Sequence, residues 1–253
     1  RSYQPMLHLL PLLFAPQTDF ATWFKGYDAC FILRETGTGK ETIYNAKRVN
    51  QAFPPCSTFK IPNSLIGLET GVVKDENTLF KWDGKDKGRE AWNQDHTLAS
   101  AFENSVLWYY QRIARSVGPK RMQFFVDRLG YGNRDISGGI DKFWLMSSMK
   151  ITARQQVDLL QSIYAGKVPF SQRSQTILRK IMVIEDKPGH YTFSGKTGSG
   201  NGPNGIDLGW FVGSIKTGGK RYVFATNITG KTAWGPEARR ITKEILADLN
   251  LLR

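Results

Sequence analysis

A serine and a lysine three residues apart, Ser57 and Lys60, open an apolar run. On a helix, positions i and i+3 share a face, so the Ser57 hydroxyl and the Lys60 amine can meet. A hydroxyl is a poor nucleophile until a neighbour takes its proton, and a lysine moved out of water becomes such a base. Phe59 and Ile61 flank Lys60, and desolvation disfavours the ammonium form. Cys56 adjoins Ser57 but has no histidine nearby in sequence to lower its pKa, so Ser57 is the candidate nucleophile. Alone, the pair has plainer readings: a serine capping a helix, and a surface lysine whose stem crosses apolar neighbours.

A second group lies at Lys196-Thr197-Gly198-Ser199. Lys196 and Thr197 offer a cation and a hydroxyl to a substrate carboxylate, and Gly198 permits close backbone approach. The Ser199 N–H can join the Ser57 N–H as a pair of donors to an oxyanion. By itself this segment reads as a solvated strand end. Ser105, ahead of Val106, Leu107 and Trp108-Tyr109-Tyr110, sits at a helix start, where it either caps the helix or passes protons between Ser57, Lys60 and a leaving nitrogen.

These residues need elements to bring them together. Residues 28–34 and 41–46 read as strands joined by the turn Glu35-Thr36-Gly37-Thr38-Gly39-Lys40. Residues 57–69 carry apolar positions at helical spacing and stop at Gly71. Pro62, in the second turn, predicts a bent or loosely formed helix start. From 98 to 180 the pattern is mostly helical, with stripes over 107–116, 120–129, 152–165 and 171–184. Strands return at 191–196, 209–216 and 221–228, and a last helix spans 236–251. The fold expected is α+β: a central antiparallel sheet formed by both chain ends, flanked by helices, with an inserted, mainly helical lobe. Residues 1–253 form one domain on this reading, with residues 20–56 and 189–253 as the sheet lobe and 57–188 as the helical lobe.

Composition narrows the function classes. The 253 residues include 40% hydrophobic and 23% charged side chains, with 7 Trp and 15 Phe, which is ordinary for a folded globular protein. The net charge of +13 favours anionic partners, but the basic residues are scattered and no nucleic-acid motif accompanies them. No run reaches the length of a membrane span. Residues 6–14 read as part of a leader's apolar core or as a segment packed on the body; we take the first reading, and with it an exported protein. Cys30 and Cys56 either form a bridge or remain two buried thiols. There is no His-Glu-x-x-His, Cys-x-x-Cys or Gly-x-Ser-x-Gly, so zinc and α/β-hydrolase chemistry lack support and no metal is expected. His8, His96 and His190 are scattered, and Asn227-Ile228-Thr229 is a glycosylation sequon inside an apparent strand.

Taken in order, Ser57-Thr58-Phe59-Lys60, Ser105-Val106-Leu107, Tyr131-Gly132-Asn133, Phe143-Trp144-Leu145 and Lys196-Thr197-Gly198 resemble the class D β-lactamases of the penicillin-recognising serine enzymes. The similarity runs from about residue 20 to 250. It implies β-lactam hydrolysis through an acyl-enzyme on Ser57, with small β-lactams as the partners. It also implies that Lys60 reacts with CO2 and serves as a carbamate base, in a dry pocket lined by Val106, Leu107 and Trp144, whose indole N–H can donate to the carbamate. No other cofactor is implied. Tyr131-Gly132-Asn133 would be structural in the cleft wall.

Two positions depart from the family pattern. Leu107 stands where valine is common, which keeps the pocket apolar but adds bulk that can slow deacylation. Ala238, beside Arg239 and Arg240, stands where many members carry an arginine that grips the substrate carboxylate. Two alternatives stay open on the same motifs: a receptor's β-lactam sensor domain that acylates without turnover, and a penicillin-binding transpeptidase. A polar residue often occupies position 107 in such sensors, and the apolar Leu107 favours the hydrolase. Loops near 88–98 and 201–208 are expected to shape substrate choice.

Overall fold

The structure is a computed structural model and describes residues 19–253. The leader reading of residues 6–14 and His8 lie outside the described residues. In chain order the elements are α1 (Phe20–Trp23), β1 (Asp28–Glu35), β2 (Glu41–Tyr44), α2 (Ala46–Val49), β3 (Ala52–Phe53), α3 (Lys60–Glu69), α4 (Leu98–Glu103), α5 (Leu107–Val117), α6 (Pro119–Leu129), β4 (Ile151–Thr152), α7 (Ala153–Tyr164), α8 (Gln172–Ile181), β5 (Val183–Lys187), β6 (Tyr191–Asn201), β7 (Asp207–Thr217), β8 (Lys220–Gly230) and α9 (Gly235–Asp248).

Six strands form one antiparallel sheet in the order β2-β1-β8-β7-β6-β5. The expected α+β architecture is present, with the sheet drawn from both ends of the chain and the helices α3 to α8 inserted between. β7 runs Leu-Gly-Trp-Phe-Val-Gly-Ser-Ile because both of its faces are covered, and a strand buried twice loses its alternation. Phe193, Phe211 and Phe224 pack with Ile241 and Ile245 of α9 on one face. Trp210, Val212 and Val223 face the helical lobe and its core on the other.

α3 is the axis of that lobe. Residues 61–68 are all buried, so the helix is enclosed on every side. The start of this helix differs from the expectation drawn from Pro62. A 3-10 turn, Cys56–Phe59, precedes it, and Pro62 is the third residue of α3. The first helical N–H groups have no partner within an α-helix, so the missing donor of Pro62 sacrifices nothing there.

Several boundaries moved. The helical stripe over 171–184 breaks at Ile181, and Val183–Lys187 becomes the edge strand β5. Short edge strands hold few residues, and the apolar Val183 and Ile184 extended the helical pattern. β6 continues to Asn201, five residues past the expected end. Gly195, Gly198 and Gly200 weaken the strand pattern there, but two of these glycines permit close contacts: a Cβ on Gly198 would sit 2.9 Å from Pro55 O, and one on Gly195 2.7 Å from the Phe211 ring. α9 ends at Asp248 rather than 251.

The α9 face supplies a stability test. Ile241→Ala removes a fully buried side chain and should lower unfolding free energy by about 2–5 kcal/mol in urea titration, with little change in slope.

Candidate active site

From Pro54 to Leu68 every residue is buried except Ser57. The 3-10 turn Cys56–Phe59 runs directly into α3, and Lys60 is the first residue of that helix. Lys60 Nζ lies 2.9 Å from Ser57 Oγ. The side chain of Lys60 is 1% exposed. Burial, and after it the charge of Lys196, holds its amine well below the usual lysine range. A neutral amine with a free lone pair beside a hydroxyl can take the hydroxyl proton.

Aromatic packing makes this niche dry. Phe59 stacks on Trp144 at 5.5 Å and meets Phe143 and Tyr131 edge-on at 4.9 and 5.3 Å. Lys60 Nζ lies 5.2 Å from the centre of the Tyr110 ring. Val106 and Trp144 are buried, and Leu107 is half-buried at the start of α5. Tyr131-Gly132-Asn133 braces the wall from behind. Gly132 adopts φ +54° against Lys150 O, and the Asn133 side chain donates to Ser148 O and accepts from Lys150 N.

The nucleophile's turn is itself pinned. Thr58 Oγ1 donates to Pro55 O at 2.7 Å and accepts from Gln156 Nε2 at 2.8 Å. Cys56 N–H donates to Trp144 O at 3.0 Å, from a left-handed backbone (φ +49°). Both cysteines are free and buried, the second of the two readings. Burial pushes the Cys56 thiol up to about 11, so it stays protonated and does not compete with Ser57.

β6 forms the facing wall. Gly195 N–H donates to Met182 O. N–H directions alternate along a strand, so the N–H groups of Thr197 and Ser199 point to the same edge. β5 pairs with β6 only as far as Ser194, which leaves that edge without a strand partner where it passes the turn of Ser57. The Ser199 hydroxyl has a task that sequence reasoning missed: it accepts from Gly235 N–H at 2.9 Å and so ties β6 to the first residue of α9. Lys196 does not extend into solvent as a free cation. It is 4% exposed, and its Nζ donates to Ser105 Oγ at 3.1 Å and Thr197 O at 3.2 Å. Burial, then the charges of Arg239 and Arg89, lowers its pKa to about 7.

Ser105 lies two residues before α5, whose N-cap is Val106, and no capping bond involves it. Its backbone is left-handed (φ +55°), a strained conformation for serine. That strain aims its hydroxyl at Lys196 rather than at a helix end.

Ser57, Ser105, Leu107, Thr197 and Ser199 all open on one cleft of about 520 Å³. Leu145, the end of the Phe143-Trp144-Leu145 motif, lines it too, and four other lining residues were not singled out in the sequence: Arg89, Trp92, Trp234 and Pro236. Arg89 and Trp92 fall in or beside the loop expected to shape the cleft, but no spacing marked them individually. Other candidates fall away. His96 is satisfied between Ser100 Oγ and Ala91 O, each at 2.9 Å. His190 is exposed. Asn227 is buried and accepts from Arg48 Nη2 at 2.7 Å, so its sequon is inaccessible. Among the described residues no cluster of His, Cys, Asp or Glu could hold a metal.

Lys196 should reveal itself by titration. In 13Cε-lysine NMR one resonance should shift with a midpoint near pH 7, and Lys196→Met should abolish it. As pH falls from 10.5 towards 7, the unfolded chain takes up this proton and the folded chain does not. The group therefore withdraws stability over that range and adds no further change below it.

Comparison with known proteins agrees with this geometry. A family model for the penicillin binding protein transpeptidase domain matches residues 29–249. The chain is 44% identical over 229 residues to the probable β-lactamase YbxI of Bacillus subtilis (strain 168), covering 90% of this chain and 84% of that one. A crystal structure of a class D β-lactamase from Bacillus subtilis aligns with a TM-score of 0.87 at 43% identity, covering 92% of this chain and 96% of that one. The C-terminal domain of the Bacillus licheniformis BlaR penicillin receptor aligns with a TM-score of 0.89 at 31% identity, covering 93% and 96%. Backbone shape alone therefore does not separate enzyme from receptor, and sequence identity places the enzymes nearer. On the extent of these matches the chain belongs to the class D β-lactamases, within the penicillin-binding transpeptidase family.

Proposed function

We propose that this protein hydrolyses the β-lactam amide of penicillin-type compounds through an acyl-enzyme on Ser57. The observation that carries the proposal is a desolvated Lys60 amine 2.9 Å from the Ser57 hydroxyl. Lys60, whose neutral amine would carry a CO2-derived carbamate, supplies the base that takes the Ser57 proton as Oγ attacks the ring carbonyl carbon. The carbonyl oxygen gains negative charge and is held by the N–H groups of Ser57 and Ser199. The ring C–N bond then breaks. Ser105, bonded to Lys196 at 3.1 Å, delivers a proton to the departing nitrogen, and Lys196, with a pKa of about 7, can resupply it. Thr197 helps to orient the substrate, and Gly198 lets β6 lie close to the Ser57 turn.

Release of the acyl group needs a base that persists after acylation. The niche fits a carbamate on Lys60, because burial keeps the amine in the neutral form that combines with CO2. Such a carbamate would supply a carboxylate-type base for the hydrolytic water. Val106, Leu107 and Trp144 keep bulk water from the lysine, and the Trp144 indole N–H is a donor for an anion there. Leu107 narrows the space open to the deacylating water, so deacylation is the step it slows.

The second reading, a receptor domain that stays acylated, draws on the alignment with the BlaR domain. Against it stands Leu107, which has no polar group with which to reprotonate the lysine. An exported location accompanies the hydrolase reading. No helix among the described residues is long and apolar enough to cross a membrane.

A chromogenic cephalosporin with bicarbonate tests the assignment. Continuous turnover is expected, lost in Lys60→Ala and suppressed by acidification that drives off CO2. Release of one equivalent followed by silence would transfer the protein to the receptor reading. Ser57→Ala should show no covalent adduct by mass spectrometry, and a persistent adduct would remove Ser57 as nucleophile.

A further inference from the structure

An arginine on the last helix is the expected grip for the substrate carboxylate, but this chain has none in place. Ala238 is fully buried at that position. Arg240 is held by Glu237 and Glu244 at 2.8 and 2.6 Å. Arg239 lines a neighbouring cleft of about 470 Å³, with Lys180, Met182, Lys196 and Thr197, and does not line the Ser57 cleft, although the two share Thr197. Lys196 is buried and already donates to Ser105 and Thr197. A penicillin carries a permanent carboxylate, so a cation is still required.

The cleft supplies one. Of the described residues lining it, Arg89 is the only charged one. Its guanidinium makes no ion pair among the described residues, so its donors are available. It lies 4.8 Å from the centre of the Trp92 ring, a cation–π arrangement that limits its wandering. Trp92 is itself fixed: its indole N–H donates to Asn104 O at 3.0 Å, and its carbonyl accepts from Trp108 Nε1 at 2.8 Å. The platform beneath Arg89 is thus anchored to α4 and α5, which flank Ser105. The charge of Arg89 also reaches Lys60 and Lys196, as the last of the causes that lower the pKa of each.

We propose that Arg89, stacked on Trp92 at the rim of the Ser57 cleft, is the cation that recognises the substrate carboxylate in place of a helix arginine. The proposal rests on the β-lactam reading above and specifies how that site selects its substrate. Arg89 is a binding residue and takes no part in proton transfer. A guanidinium accepts a carboxylate through two parallel hydrogen bonds, which a lysine at the same place reproduces only in charge.

The test uses acylation of Ser57, read by mass spectrometry, so that it does not depend on turnover. Second-order rate constants are measured for a penicillin and for its neutral methyl ester with the wild type, Arg89→Lys, Arg89→Ala and Arg89→Glu. For the acid, the rate should fall about tenfold or more in Arg89→Ala and further in Arg89→Glu, with Arg89→Lys between wild type and Ala. For the ester, the four proteins should agree within about threefold, a flat profile expected when no charge is being read. Equal losses on acid and ester, or an acid rate that does not follow the charge at position 89, would overturn the proposal. Should the ester be inert in all four proteins, the graded series on the acid decides alone. A wild type that neither forms an adduct with the acid nor hydrolyses it would instead remove the β-lactam reading.

Discussion

An ammonium group is among the hardest side-chain heads to take out of water, and the structure is arranged around one that has been. Lys60 is buried at the head of a helix whose next eight residues are buried as well. A charged group in such surroundings gives up its proton rather than remain ionised and unpaired. The same apolar density that stabilises the helical lobe thereby prepares a base. Ser57 is the single opening in this stretch, and its exposure is what turns a buried amine into a usable one.

The second cation, Lys196, answers to the same rule with a different result. It is buried too, but it has hydrogen-bond partners in Ser105 and Thr197 and keeps a pKa near neutrality. Two amines in one site thus differ in how much charge each retains. The charge of Lys196 pushes Lys60 in the same direction as burial, and the charges of Arg239 and Arg89 do the same to Lys196. The geometry that permits this comes from two lobes: α3 brings Lys60, and β6 brings Lys196. The Ser199 hydroxyl fastens β6 to α9, so the sheet's outer helix also bears on the position of the cleft wall.

Much of this was legible in the residues. Ser57, Lys60 and Lys196-Thr197-Gly198 announce themselves by spacing, because one helical turn and one strand end are local geometries. That both chain ends share one antiparallel sheet followed from the strand patterns at the two ends, although the order of the strands did not. What was hidden depended on contacts distant in sequence. The extension of β6 to Asn201 was masked by glycines whose lack of a side chain matters only beside Pro55 and Phe211. The edge strand β5 looked like more of α8. The role of the Ser199 hydroxyl, the left-handed backbone of Ser105 and the loop residues Arg89 and Trp92 carry no periodicity at all. Pro62 misled in the opposite direction, since its effect depends on which helical position it occupies.

The unpaired edge of β6 over residues 196–201 has a meaning for solubility as well as for chemistry. A bare strand edge is a template on which another chain can add itself. Here the turn that carries Ser57 stands guard over that template, so the reactive opening and the shield against self-association are one piece of structure. Damage that loosens the turn from Gln156 and Trp144 would uncover main-chain donors to neighbouring molecules. Precipitation, and not merely lost activity, is then the natural symptom of a poorly seated nucleophile.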